Sequence, residues 1–189
     1  MITELLKYFS FIARIANGLD LRIQSLASMF DIFEADLTVP EQGAALLQLM
    51  REYARDPMGG GEDLSEFVQE NLVETLSQWP GHHVVMAIAT ETKTPAGLIV
   101  CLEGFSTFAC RPLLNIHDVI VSKSYRRKGL SQLMLQKVEE IAKARGCCKI
   151  TLEVLEGNEP ARQAYETFGF GGYQLDPQMG HALFWQKKL

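Results

Sequence analysis

Three consecutive cations and a glycine, Arg126-Arg127-Lys128-Gly129, followed by Leu130-Ser131-Gln132, are the residues of this chain best suited to holding an anion. The apolar run Val119-Ile120-Val121 leads into them, and an amphipathic pattern from Leu130 to Arg145 leads out. A strand that ends in a basic, glycine-containing turn and opens a helix is a physical recipe for binding phosphate. The first backbone N–H groups of a helix lack intrahelical acceptors, the helix dipole is positive at that end, and Arg and Lys add charge. The pattern therefore predicts the phosphate cradle of a coenzyme site.

The whole chain bounds what that cradle can serve. Its 189 residues fit one domain with a core that needs no staples. A formal charge of −5 argues against a nucleic-acid binder relying on a basic surface, and it sets the cluster Lys123, Arg126, Arg127, Lys128 apart from its acidic background. Cys101, Cys110, Cys147 and Cys148 show no CxxC or Cys/His ligand spacing, so four reduced, mostly buried thiols in a cytoplasmic protein are expected, and no metal. No apolar run approaches the roughly 20 residues that span a bilayer. Arg14 interrupts the apolar stretch after Lys7, which argues against a secretory signal.

The elements that must position the cradle follow from periodicity. Residues 1–28 hold a first amphipathic pattern (Leu5, Leu6, Phe9, Ile12) ended by Asn17-Gly18, read as an extension packed on the domain or as a dimer-contact helix; the main domain is expected over 29–189. Phe30 to Leu37 reads as a strand. Thr38 and Glu41 stand at capping-box spacing with Pro40 in the first turn of a helix, and Asp63 and Glu66 repeat that spacing before a second helix that stops by Trp79-Pro80. Asp56-Pro57-Met58-Gly59-Gly60-Gly61 joins the two as a loop. His83 to Thr90 and Gly97 to Phe105 form a hairpin, with His82-His83 opening a strand rather than binding metal. Leu113 to Val121 feeds the cradle, Gly146 ends its helix, and Cys148 to Leu155 is the next strand. Asn158-Glu159-Pro160 opens a short helix closed by Gly169, and Phe170 to Leu175 with Ala182 to Gln186 make a last strand pair. The order β-α-α-β-β-β-α-β-α-β-β predicts an α/β (α+β) fold: a single mixed, mostly antiparallel sheet with helices on both faces.

The usual nucleotide motifs are absent: there is no GxxxxGK[ST], the Gly-rich Phe168–Gly172 stretch stands in the wrong order for a dinucleotide turn, and no GxSxG elbow occurs. What remains resembles the GNAT family of acetyl-CoA-dependent N-acyltransferases. The family's coenzyme motif, Gln/Arg-x-x-Gly-x-Gly/Ala, reads here Arg126-Arg127-Lys128-Gly129-Leu130-Ser131, with Ser131 in place of the final Gly/Ala. A second signature, Asn-x-x-Ala-x-x-x-Tyr before a Phe-Gly-Phe turn, is present as Asn158, Ala161, Tyr165 and Phe168-Gly169-Phe170.

The resemblance implies roles. Backbone N–H groups of Arg127 to Gln132 would hold the pyrophosphate, with charge from Arg126 to Lys128. The strand end Val119-Ile120-Val121 would meet the pantetheine arm by main-chain bonds like an added strand. Asn158 would contact the coenzyme, and Tyr165 would be the general acid that protonates the departing thiolate. A base is also needed, because an amine attacks only when neutral. The strand before the cradle reads Asn115-Ile116-His117-Asp118 and resembles the Leu-Glu-Asp run of diamine and polyamine acetyltransferases, with His117 at the Glu position. His117 titrates in the useful range, and Asp118 could orient it or bind a cationic amine. Strand alternation puts the two on opposite faces unless the family's bulge intervenes. The expected activity is acetyl transfer from acetyl-CoA to a primary amine of a small molecule or peptide, with no covalent enzyme intermediate. A rival reading is a non-catalytic acyl-CoA-binding or regulatory module; a third is an interaction protein working through its N-terminal helix.

Overall fold

The apolar runs resolve into one five-stranded sheet in a computed structural model that describes residues 25–26, 28–173, 176, 178, 180 and 182–188. Strands β1 (Phe30–Glu34), β2 (His82–Ala89), β3 (Pro95–Ser106) and β4 (Arg111–Val121) pair antiparallel in chain order. β5 (Ile150–Leu152) joins β4 in parallel. Parallel neighbours require a crossover, and α3 (Leu130–Ala144) supplies it. The other helices are α1 (Pro40–Ala54), α2 (Glu66–Gln78) and α4 (Glu159–Phe168), and one turn of 3-10 helix spans Lys123–Tyr125.

Side chains alternate across the pleat, so the sheet has two cores. On one face Val85, Ala87, Ile99, Cys101, Leu114 and Ile116 pack against Leu130, Met134, Leu135 and Val138 of α3. On the other, Val84, Met86, Leu98, Val100 and Ile120 pack against Leu46 and Leu49 of α1. Each such fully buried aliphatic side chain contributes roughly 1.5–3 kcal/mol, so both helices are held to the sheet by their apolar stripes rather than by propensity. The helix α3 ends as expected at Gly146: Cys147 N–H donates to Ala142 O at 2.9 Å and Gly146 N–H to Lys143 O at 3.0 Å.

The structure departs from the sequence reading in several places. Neither capping box forms. The Thr38 hydroxyl and N–H both donate to Asp36 Oδ1, at 2.6 and 2.9 Å, leaving Val39 as the N-cap of α1. Asp63 is engaged instead by Arg51 and Arg55, and Ser65 caps α2 by accepting from the Val68 N–H at 3.3 Å. The last strand pair does not form among the described residues; one bond, Ala182 N–H to Tyr173 O at 3.4 Å, joins the two segments. Phe184 and Trp185 stay 78% and 82% exposed, so no apolar burial holds that pairing in register. β5 is shorter than expected because only Leu114 to Ile116 of β4 pair with it. Of the four free cysteines only Cys101 is buried; Cys110 is exposed and Cys147 and Cys148 are half-buried. The expected N-terminal extension, apart from residues 25, 26 and 28, lies outside the described residues. No helix among the described residues is long and apolar enough to cross a membrane.

Candidate active site

An irregularity in β4 decides where its polar residues point. Val100 of β3 pairs with Asp118, and the next residue, Cys101, pairs with Ile116, so His117 is the extra residue of a β-bulge. The alternation of β4 flips there. Leu114 and Ile116 face α3 before the bulge, whereas Val119 and Val121 face it afterwards. His117 and Asp118 consequently share the α1/α2 face, and both line one cavity of about 210 Å³. Leu46 and Met50 of α1, Leu72 and Leu76 of α2, and Val100 and Leu102 of β3 form its apolar wall. Burial pushes Asp118 above the usual carboxylate range, with His117 pulling weakly the other way. His117 itself is exposed.

Beyond Ile116 the other edge of β4 is open. Its pairing with β5 stops at Ile116–Leu152, so along 117–121 no strand covers that edge among the described residues. Ile120 turns its side chain into the α1/α2 core while Val119 and Val121 turn theirs to α3. The main chain of this segment thus offers hydrogen-bonding groups to an extended ligand.

The cradle follows within a few residues. Gly129 is the N-cap of α3 with φ +81°, a left-handed conformation that favours glycine, and a Cβ there would stand 3.1 Å from Leu26 Cδ2. The N–H groups of Leu130 and Ser131 open the helix without intrahelical acceptors, and that of Gln132 reaches Gly129 O at 3.1 Å. A bare helix N-terminus behind a glycine turn suits the phosphates of a nucleotide coenzyme. Arg127 is exposed and left-handed at φ +60°, and Lys128 Nζ sits 5.2 Å over the Tyr125 ring.

Arg126 does something else. Its Nη2 donates to Asp56 Oδ2 at 2.9 Å and its Nε to Val121 O at 3.0 Å. Asp56 is 8% exposed, and the Met58 N–H together with the Arg126 guanidinium holds its carboxyl below the usual carboxylate range. Glu52 Oε1 accepts from Lys123 N–H at 2.8 Å, a second tie between α1 and the turn before the cradle. At Gly59 a Cβ would collide with Tyr53 O, so the loop after α1 folds back tightly on that helix.

Helix α4 completes the arrangement. Asn158 caps it, its Oδ1 accepting from the Ala161 N–H at 3.4 Å, and Gln132 Nε2 donates to Ala164 O at 2.8 Å, fastening α4 to the cradle helix. Tyr165 packs edge-on against Phe170, with ring centroids 5.9 Å apart. Burial, with Tyr53 adding to it, pushes the Tyr165 phenol up to about 12. Tyr53 is itself raised by burial, then by Asp118 and Asp56. Tyr53 therefore stands in the field of both Asp118 and Tyr165.

The bulge and the open edge lie on the strand that feeds the cradle, α4 is fastened to the cradle helix, and Arg126 is turned aside to Asp56. Sequence reasoning missed Glu52, Tyr53 and Asp56 as neighbours of the site. The Asp56-Pro57-Met58-Gly59 turn was legible, since Asp side chains bond the N–H two residues on, but its partner lies 70 residues away. A larger cavity of about 320 Å³ opens between the C-terminal end of α3 and Phe168-Gly169-Phe170, and none of the predicted site residues lines it.

Comparison with known proteins agrees with this fold. A family profile described as "Acetyltransferase (GNAT) family" matches residues 45–170. A thialysine N-epsilon-acetyltransferase of Bos taurus is 30% identical over 134 residues, covering 66% of this chain and 75% of the relative. A streptothricin acetyltransferase of Streptomyces lavendulae is 35% identical over 78 residues; the match spans 40% of this chain and about two fifths (41%) of that protein. Among solved structures, an aminoglycoside acetyltransferase from an uncultured soil metagenomic sample superposes with a TM-score of 0.67 at 13% identity, covering 86% of this chain and 99% of the other.

Proposed function

The chain belongs to the acetyltransferase (GNAT) family, and from that premise we propose that it is an N-acetyltransferase moving acetyl from acetyl-CoA directly onto a primary amine of a small molecule or peptide. The bulge at His117 carries the reading, because it turns a titratable imidazole and a carboxylate into one cavity beside the open edge of β4. The name of the bovine relative, which specifies a nitrogen of thialysine, supports an amine as acceptor.

Acetyl-CoA supplies the activated acetyl thioester; the chain's residues do the rest. The N–H groups from Arg127 to Gln132 bind pyrophosphate, with charge from Arg127 and Lys128, while Arg126 braces the turn through Asp56. The main chain of Val119 to Val121 holds the pantetheine arm as an added strand, and the amide of Asn158, with Oδ1 used as a cap, contacts the coenzyme from the start of α4. Asp118 receives the incoming ammonium. His117, neutral, takes the proton that must leave before the nitrogen can attack, since alkylamines are mostly protonated at pH 7. Tyr165 keeps its O–H at neutral pH, its phenol lying at about 12, and donates to the departing sulfur.

A screen of thiol release from acetyl-CoA across a panel of primary amines, run with a thermal shift on CoA and acetyl-CoA, tests this. His117→Ala should lower kcat/KM and remove an acidic-limb ionisation from the pH profile; an unchanged profile rejects His117 as the base. A protein stabilised by CoA that releases no thiol with any amine, and is indifferent to Tyr165→Phe, would be the non-catalytic acyl-CoA-binding module instead.

A further inference from the structure

We infer that the acceptor is an amine with one ammonium group on an apolar body, an arylalkyl or branched alkyl amine, rather than a diamine or an amino acid. The inference rests on the acetyl-transfer reading above and names its substrate class.

Three observations carry it. First, the wall of the cavity beside His117 and Asp118 is aliphatic throughout, supplied by α1, α2 and β3. Second, among the described residues Asp118 is the only carboxylate lining that cavity, and neither lysine nor arginine lines it. One ammonium finds a counter-charge there. While Asp118 holds the reacting ammonium, a second ammonium, or the carboxylate of an amino acid, would sit against Met50, Leu72 or Leu76 with no counter-charge from the described lining, and an unpaired charge in apolar surroundings is strongly disfavoured. Third, the volume fits: an enclosed apolar cavity of about 150 Å³ takes up benzene, and this half-open pocket of about 210 Å³ leaves room for a ring with a short aminoalkyl arm. The bulge matters to this as well. Without it His117 and Asp118 would face opposite ways, and the apolar pocket would lack its single anionic end.

The test compares kcat/KM for thiol release with the full chain, acetyl-CoA and four acceptors: phenethylamine, isopentylamine, putrescine and lysine. Phenethylamine and isopentylamine should exceed putrescine and lysine by about 100-fold, the size of discrimination that an apolar pocket and an unpaired charge give together. Leu76→Glu adds a second carboxylate to the wall from α2, a helix with no fully buried residue; it should reverse the preference toward putrescine. If putrescine or lysine is the better acceptor for the unmodified protein, the inference is overturned and acetyl transfer to amines stands. Thiol release with none of the four, nor with any other amine, overturns both. An unmodified protein that prefers phenethylamine supports the inference even where Leu76→Glu fails to fold.

Discussion

Replacing Asp56 by Asn isolates one ion pair that joins the loop after α1 to the turn before the cradle. The carboxylate accepts from Arg126 Nη2 at 2.9 Å and from the Met58 N–H at 3.1 Å. Asparagine can keep the Met58 bond through its amide oxygen, but its NH2 then stands where Oδ2 accepted from Arg126, so the change removes that hydrogen bond together with the charge. Hydrogen bonds to charged groups are worth about 1.5–3 kcal/mol. Asp56 is nearly buried but the Arg126 side chain is 43% exposed, and solvent screening brings the expected loss to roughly 1 kcal/mol. For a chain of this length that lowers Tm by roughly 2–4 °C. The pH dependence gives a sharper check. Asp56 is depressed in the folded state, so its contribution is present above the unfolded value near 3.8 and disappears as pH falls through the folded one. Thermal melts should therefore separate the two proteins at pH 7 and bring them together in strong acid. Freed from Asp56, the Arg126–Gly129 turn is less fixed, and KM for acetyl-CoA should rise several-fold with kcat little changed. Equal melting temperatures at pH 7, or a gap that persists undiminished in acid, would refute the reasoning.

Three further outcomes are expected. Tyr165→Phe keeps the ring against Phe170 and loses only the hydroxyl, so kcat should fall roughly 10²-fold or more with Tm and KM for acetyl-CoA nearly unchanged. Asp118→Asn should raise Tm at pH 7 while lowering kcat/KM: the folded carboxyl is raised by burial, so its charge costs stability once pH rises through that value, and the gain should vanish below about pH 4, where aspartate is protonated in both states. Gly129→Ala forces a Cβ into a left-handed residue 3.1 Å from Leu26 Cδ2. It should cost about 1–2 kcal/mol in a denaturant melt and weaken CoA binding measured by calorimetry.

How far the chain could be read from its residues depends on range. The strand–turn–helix of the cradle, the Gly146 stop of α3 and the Asn158 cap of α4 are local events, decided within a few residues by capping, dihedral preference and apolar period. They lie where the pattern put them. The two capping boxes failed because other partners took their capping groups: Asp36 accepts from the Thr38 hydroxyl and N–H, and Arg51 and Arg55 engage Asp63. Among the described residues the final strand pair is absent, because alternation alone cannot hold a register when Phe184 and Trp185 stay exposed.

The sequence by itself determined the family and the basic glycine turn at the head of α3, and it named the groups proposed to move a proton, because each depends on residue type and short spacing. Only the tertiary structure decided which way those groups face. A bulge is a choice made between two strands, and neither strand states it alone; the slip between Val100 and Cys101 is what puts His117 beside Asp118. The Asp56–Arg126 pair spans 70 residues and the cavity wall draws on α1, α2, β3 and β4. Contacts of that range exist only after the sheet has chosen its register and the helices have closed over it.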